Sequence, residues 1–325
     1  MKSHQTHPEE ISTMRTFQTF GEFALALRAD TIAGRAASTF GSTASGPDGG
    51  YAVPTNFVEQ IFLTSEGALA PRCQVIPSQS SEILVPTDES TPWGTSGILA
   101  GWDSEGSTAT GRKPALSMAT HRLHKLRALV PLSGEFVQDS KAVNAWLPQA
   151  LQKVFDWQVN NAIVNGPGTA RPLGILKSSA VIDVAAEGGQ TAGTIVDANI
   201  SAMLARSLSP LSSTWLASPA AYSQLHKLSS FDSATRTLAG LPIALTDACA
   251  APGARGDIIL AKLGGYRIVT KEARFANSTH LYFDQDLVAF RLTVQLDGQP
   301  VLSAPVTPPN SAVTRSDFVA LAARS

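Results

Sequence analysis

The chain has 325 residues and a mass of 34.1 kDa, which is enough for two ordinary domains. Only 16% of the residues are charged, below the usual value of about a quarter. The 25 basic and 26 acidic residues leave a formal net charge of −1, and no basic block predicts strong binding to phosphates. A surface with so few charges fits either a Ser/Thr/Ala-rich monomer or a protein that buries much of its surface against neighbours.

The two cysteines and the polar N-terminus limit the compartment. Cys73 and Cys249 are too few and too isolated for a disulfide framework or a metal site, so we predict two buried thiols in a reducing compartment. No run of about 18 apolar residues predicts a membrane span, and the first ten residues, MKSHQTHPEE, are too polar for a secretory signal. We therefore expect no membrane contact and a location in the bacterial cytoplasm.

Residues 1–50 have the pattern of an arm. Residues 17–28, FQTFGEFALALR, predict one short amphipathic helix with Phe20, Phe23 and Leu27 on its apolar stripe. Because a helix this short is unstable alone in water, it must dock on its own chain or on a neighbouring subunit. The Ser- and Gly-rich linker at 42–50 is flexible enough for either.

The next stretch predicts short strands and turns, followed by a long excursion. Residues 91–117 are rich in glycine and have little periodicity, which is unusual inside a compact domain and typical of a functional loop. Residues 121–135 alternate apolar and basic side chains and predict a return strand, so the two segments form a two-stranded projection. An exposed loop that carries Trp93 and Trp102 normally buries them against a partner, and we expect that partner to be a neighbouring subunit.

The rest of the chain mixes helices and strands, which indicates an α+β fold. The longest predicted helix runs from Val143 to Asn165, is stopped by Gly166, and has Pro148 in its first turn or at a kink. Two shorter helices are predicted within 200–208 and 217–228. Strands are predicted at 213–217, 240–246, 258–261, 266–270, 288–296 and 317–321.

No motif in the sequence carries recognisable chemistry, and we predict no catalytic, cofactor or metal site. His121 and His124 point to opposite faces of an extended strand, so they do not form a metal pair. The glycine pairs at 165–169 and 262–266 lack the spacing of phosphate-binding loops. A hydrolase on a mixed α/β scaffold stays open as an alternative, because a Ser/His/Asp triad need not be contiguous; it predicts a clustered polar site with shifted pKa values.

Four segments follow one another in an order that resembles a known family. They are GGYAVPTNFVEQIF at 49–62, LSGEFVQDS at 132–140 with NNAIVNGPGTARPLGIL at 160–176, STWLASPAAYSQLHKL at 213–228, and TRTLAGLPIALTDACAAPGARGDIILAKLGGYRIVTK at 235–271. Together they are similar to the major capsid proteins of tailed bacteriophages with the Hong Kong 97-like fold. The last segment is the most specific, with Leu-x-Gly-x-Pro-Ile, Gly-Asp and Gly-x-Tyr-x-Ile in succession.

The resemblance, which covers residue 49 to the C-terminus, implies an α+β Hong Kong 97-like capsid fold and assigns its parts. These are an N-arm, a β-hairpin called the E-loop, a peripheral domain with a long spine helix and a β-sheet, and an axial domain. The implied boundaries are 1–50 for the N-arm, 51–87 for the start of the peripheral domain, 88–131 for the E-loop, 132–189 for the peripheral domain with its spine helix, 190–265 for the axial domain and 266–325 for the peripheral return strands.

The resemblance also implies partners and contacts. Copies of the chain would form hexamers and pentamers of a virion shell around double-stranded DNA, with weak non-specific DNA contact, a portal protein and an optional decoration protein, assembled in the host cytoplasm. Residues 1–50 are too short for the charged scaffolding segment of many family members, so we expect either a separate scaffolding protein or assembly without one. Subunit contacts are expected at Phe20, Phe23, Leu27, Trp93, Ile98, Leu99 and Trp102. An encapsulin-like shell around enzymes is the alternative; the length of the arm and of the E-loop favours the phage capsid.

Covalent cross-linking between subunits is not expected. Family members that cross-link use a Lys near the E-loop tip, an Asn on a neighbour's peripheral strand and a nearby carboxylate. Lys113 matches the Lys, but residues 288–302 contain no Asn, and Asp297 is their only acid. The resemblance therefore predicts a shell held together by non-covalent overlap of arm and E-loop.

Overall fold

The computed structural model describes residues 68–324, except 95–96, 99, 101, 103–112 and 136–139. The predicted arm and its residues Phe20, Phe23 and Leu27 lie outside the described residues, as does Leu99. The chain divides into two compact units: of the described residues, the first contains 129–135, 140–148 and 276–290, and the second contains the others.

Three α-helices and thirteen strands are found in the part of the chain that the structure describes. The helices are α1 (Ser140–Asn165), α2 (Asp197–Arg206) and α3 (Pro219–Leu225). The strands are β1 (Gln74–Pro77), β2 (Glu82–Asp88), β3 (Leu116–Arg122), β4 (His124–Ser133), β5 (Ile182–Val184), β6 (Thr214–Ala217), β7 (Phe231–Asp232), β8 (Thr237–Leu238), β9 (Leu241–Leu245), β10 (Ile258–Ala261), β11 (Tyr266–Tyr282), β12 (Leu287–Pro300) and β13 (Phe318–Leu321).

The helix α1 ends where the sequence predicts and starts three residues earlier. Its described second half buries a side chain every four residues, at Leu151, Phe155, Val159 and Ile163. The N–H of Gly166 donates to the carbonyl of Ala162 at 3.0 Å, and a Cβ at position 166 would lie 2.1 Å from the Pro172 carbonyl oxygen, so only glycine fits at this stop. Because the helix starts at Ser140, Pro148 lies about two turns inside it, so the first-turn position is wrong and a kink at Pro148 stays a prediction.

A four-stranded sheet has the order β1-β11-β12-β4, with β1 parallel to β11. The strand β11 is much longer than predicted and continues to Tyr282. The part beyond the predicted end at residue 270 starts with Lys271 and Glu272 and has no clear apolar alternation, so sequence pattern alone does not reveal it. At the other end, Gly298 leaves room for the buried Tyr266 ring, since a Cβ there would lie 2.8 Å from the ring.

A seven-stranded mixed sheet forms the main core of the second unit, in the order β5-β13-β10-β6-β9-β8-β7. All four residues of β10 and all four of β13 are buried, as expected for central strands covered on both faces. Trp215 is fully buried, and its indole N–H donates to the Leu238 carbonyl at 2.9 Å. The core is completed from α2 and α3 by Ile200, Met203, Ala221 and Leu225. The predicted helices and strands of this region are confirmed within one to three residues at most ends.

The last described residues are tied into this unit by a buried ion pair. The guanidinium of Arg324 pairs with Asp257, and the two side chains are 1% and 0% exposed. Arg324 also donates from Nε to the Thr194 carbonyl at 2.7 Å and from its backbone to the Gly253 carbonyl at 2.8 Å. The segment after β13 is therefore fixed to two loops, and both charges are satisfied inside the chain.

Candidate assembly interface

A two-stranded antiparallel hairpin is present, but β2 and β3 form it rather than the two predicted segments, 91–117 and 121–135. The predicted return strand is mainly β4, which pairs with β12 in the four-stranded sheet, so that part of the prediction is wrong. β2 and β3 are paired at seven positions, from Glu82 opposite Arg122 to Asp88 opposite Leu116. Because side chains alternate along a strand, the hairpin has two faces of different character.

One face carries Leu84, Pro86, Leu116 and Met118, which together we call the hairpin outer face; Thr120 lies opposite Leu84 and Asp88 opposite Leu116 on the same face. Pro86 lies directly opposite Met118, and Leu84 and Leu116 are their diagonal neighbours, close enough for these side chains to touch. Leu84 is 62% exposed, Leu116 56% and Met118 63%. Adjacent apolar side chains at this exposure make the hairpin outer face a candidate binding surface.

On the opposite face, Thr87 and His121 are buried and hold the hairpin with polar contacts. The hydroxyl of Thr87 accepts a hydrogen bond from Arg267 Nη1 at 3.0 Å. His121 is completely buried; its Nδ1 lies 3.2 Å from Asp297 Oδ2, and its Nε2 lies 3.4 Å from Gln299 Nε2. An isolated two-stranded hairpin is marginally stable at best. These contacts to β11 and β12 fix it near both ends of its paired strands.

The loop beyond the hairpin contacts its own chain at two points. Trp93 Nε1 donates to the Thr307 carbonyl at 2.9 Å, and the Ser303 hydroxyl donates to the Glu89 carboxylate. The expectation that this loop finds its partners only in neighbouring subunits therefore does not hold for the indole N–H of Trp93. Its ring is still 43% exposed, Ile98 is 68% exposed, and Trp102 is fully exposed.

Among the described residues near the hairpin, the polar groups around His121 do not have the arrangement of a Ser/His/Asp triad. A Ser/His/Asp triad needs a hydroxyl at the second imidazole nitrogen, whereas that nitrogen of His121 faces the amide of Gln299. Cys73 and Cys249 are both buried, so the prediction of two buried thiols is confirmed. Burial raises the pKa of each to about 12. Within the described residues, no group of His, Cys, Asp and Glu is arranged to hold a metal ion.

The sequence analysis predicted contacts at the loop tip, which stay a prediction, and did not predict the hairpin outer face. The signal is present: Leu84 and Pro86 are two residues apart, as are Leu116 and Met118, which places each pair on one face of a strand. The two pairs become one surface only through the strand register, which the sequence does not specify. No helix of the described residues is long and apolar enough to cross a membrane.

The chain was compared with curated proteins, with solved structures and with models of protein families. The comparison with curated proteins finds no match. Among solved structures, the chain is similar to a capsid chain of an empty GTA particle, with 17% identity, a TM-score of 0.59 and coverage of 91% of this chain and 98% of that one. A chain from Microbacterium phage Oxtober96 shares 13% identity with a TM-score of 0.55, covering 91% and 98%. A chain from Mycobacterium phage Cain shares 15% with a TM-score of 0.52, covering 81% and 93%.

These likenesses establish the fold, and the predicted α+β Hong Kong 97-like capsid fold is confirmed. The division into N-arm, E-loop, peripheral and axial domains at the predicted boundaries stays a prediction. The family model of the phage capsid family matches residues 49–310, which is most of the chain. The chain therefore belongs to the phage capsid family.

Proposed function

We propose that this chain is the major capsid protein of a tailed bacteriophage, whose copies assemble into an icosahedral shell around double-stranded DNA. The hairpin outer face carries the proposal, because four adjacent apolar residues of an otherwise well-anchored hairpin are exposed. A second copy of the chain would supply that cover. Membership of the phage capsid family supports a second copy as the partner.

The energetics of the hairpin fit a contact that is repeated many times. Burying a Leu or Met side chain completely contributes about 1.5–3 kcal/mol, and the three large side chains here are already partly covered. One such contact is therefore weak, which lets subunits correct errors during assembly. A closed shell repeats the contact in every copy, so the assembled particle is stable.

The finer parts of the proposal rest on the family resemblance. Hexamers and pentamers form the shell in the host cytoplasm, a portal protein occupies one vertex, and scaffolding is supplied by a separate protein. The DNA is held by weak, non-specific contacts, consistent with a net charge of −1. The chain has a structural role and catalyses no reaction.

The contact residues predicted from the sequence are assigned to the proposed subunit interfaces as follows. Ile98 and Trp102 are exposed beyond the hairpin, and we assign them to the same interface as the hairpin outer face. Phe20, Phe23, Leu27 and Leu99, outside the described residues, stay predicted contacts of the arm and of the E-loop tip.

The test is to express the full chain, alone and with its neighbouring phage genes, and to separate shells from free subunits on a density gradient. Wild-type protein should give closed shells by negative-stain microscopy, and shells made during infection should protect DNA from nuclease. The variant Leu84→Ser/Met118→Ser should remain as folded, unassembled subunits, since it removes apolar contact without touching the buried face.

The matched control is Leu84→Ile/Met118→Leu, which keeps the apolar area and should still form shells. A wild-type chain that stays monomeric under every condition would contradict the proposed function. Normal shell yield from the serine variant would show that the hairpin outer face is not an interface.

A further inference from the structure

A row of cations lies on β3 and β4, close to the hairpin. We call Arg122, Lys125 and Arg127 the basic stripe; all three are exposed. Lys125 and Arg127 are two residues apart on β4, so they point to the same face, about 6.8 Å from each other along the strand. Arg122 pairs with Glu82 at 3.3 Å, but this pair is mostly exposed and weakly held.

The two cations on β4 have no counter-charge within the part of the chain that the structure describes. No described carboxylate lies within ion-pair distance of Lys125 or Arg127. In a chain with only 16% charged residues, two adjacent and unpaired cations on one strand are a distinct feature. Their side chains are free to meet an anionic partner.

An exposed cluster of the opposite charge lies in the first unit. Strands β11 and β12 are joined by a turn with Asp284 and Asp286, and the backbone N–H of Gly134 donates to the carbonyl of Asp286 at 3.1 Å. That hydrogen bond places Glu135 beside the turn. Glu135, Asp284 and Asp286, which we call the acidic turn, are exposed, and none of them forms an ion pair with a described residue.

We propose that the acidic turn of one copy binds the basic stripe of the next copy in the shell. The inference rests on the proposed function, since it requires that copies of the chain assemble. Charge complementarity carries it: the chain displays three carboxylates at one place and three cations at another, in different units. A contact between different surfaces of two identical chains is heterologous, and it closes into rings when the rotation between copies allows.

DNA phosphate is the other anion that a capsid protein meets, and it fits less well. Three cations, of which Arg122 already has a partner, make a small phosphate site, and DNA would leave the acidic turn without any partner. A second copy satisfies both surfaces at once. The contact would also fix the orientation of each subunit relative to its neighbour. In other orientations like charges would face one another and repel.

The test exchanges the charges. Lys125→Glu/Arg127→Glu and Asp284→Lys/Asp286→Lys should each lower the yield of shells about tenfold or more, because like charges then face one another across the contact. Combining the four substitutions restores opposite charges in exchanged positions, and shell yield should return to within about threefold of wild type. The control Arg171→Glu/Lys177→Glu changes the net charge equally at two exposed cations elsewhere and should assemble normally.

Each outcome decides the matter. Failure of the combined variant to recover, with both partial variants folded by circular dichroism, overturns the proposal. Shells of normal yield that protect less DNA in the stripe variant identify DNA as the partner, which also overturns it. If the charge-reversed chains do not fold, the variant Lys125→Gln/Arg127→Gln is tested in their place. Its assembly should depend less on salt concentration than that of wild type. An unchanged salt dependence would contradict the contact. A wild-type chain that forms no shells at all refutes the proposed function instead.

Discussion

The seven-stranded sheet and the hairpin use their apolar residues in opposite ways. Every residue of β10 and β13 is buried, and the sheet places Trp215 and the core side chains of α2 and α3 out of water within one chain. In the hairpin the burial pattern alternates, and the exposed positions include Leu84, Leu116 and Met118. The sheet buries its apolar side chains within one chain, whereas the exposed apolar side chains of the hairpin need another molecule to cover them.

The difference shows that the subunit uses one set of apolar residues for folding and another for assembly. Apolar area buried within the chain stabilises the monomer before it meets a neighbour. Apolar area left exposed on an anchored hairpin is available only for association. The polar contacts of Thr87 and His121 allow this, because they hold the hairpin in place without using its outer face.

The largest effect on the free energy of unfolding is expected at the buried ion pair between Arg324 and Asp257, which stabilises the second unit within one chain. Arg324→Met leaves the buried carboxylate of Asp257 without its partner, and we expect the free energy of unfolding to fall by about 3–5 kcal/mol. The matched control is Arg255→Met, which breaks a pair with Asp183 whose side chains are 36% and 43% exposed; it should lower that free energy by about 1 kcal/mol or less. Chemical denaturation of unassembled subunits measures both. Equal effects from the two variants would contradict the assignment of Arg324 as a buried clamp.

A smaller effect is expected at Asp197, the first residue of α2. Hydrogen bonds from the hydroxyl and backbone of Ser230 and Ser229 lower the pKa of Asp197 from 3.8 to about 2, with the Ser230 hydroxyl as the largest cause. A carboxyl group with a lowered pKa stabilises the fold above its unfolded pKa and loses that contribution as the pH falls through its folded pKa.

Asp197→Ala should therefore lower the free energy of unfolding at pH 7 by about 1 kcal/mol, because solvent screens so exposed a carboxylate. The gap between variant and wild type should narrow between pH 4 and pH 2, as judged by denaturation at each pH. A gap that is constant with pH would show that the carboxylate charge is not responsible.

The last prediction is that no covalent cross-link forms between subunits. Mature particles boiled in detergent should release a single band near 34 kDa, since the strand that would supply the cross-linking Asn has none. The carboxylate of Asp297, the only acid there, is engaged with His121 inside the subunit. A ladder of multimers that survives reduction would contradict non-covalent assembly and would weaken the role given to the hairpin.

Elements with a strong local pattern were predictable from sequence. The apolar spacing of α1 and the glycine that stops it, and the continuous apolar run of β10, are visible in the residues themselves. The second half of β11 was not predictable, because pairing with β12 rather than apolar alternation makes it a strand. The start of α1 was also missed, and with it the position of Pro148.

The candidate interface was only partly predictable for the same physical reason. Exposed tryptophans in an irregular loop are a local signal, so Trp93 and Trp102 stood out in the sequence. The hairpin outer face and the acidic turn depend on register and on a hydrogen bond between distant segments, from Gly134 to Asp286. Such surfaces become visible only when the chain is folded.

Hydrogen exchange on free subunits and on assembled shells tests the central contrast most directly. Backbone amides of β10 and β13 should be protected in both states, because their burial belongs to the chain itself. Amides of β2 and β3 should exchange quickly in the free subunit and become strongly protected in the shell. Equal protection of β2 and β3 in the two states would contradict the account, since the hairpin would then gain nothing from a neighbouring copy.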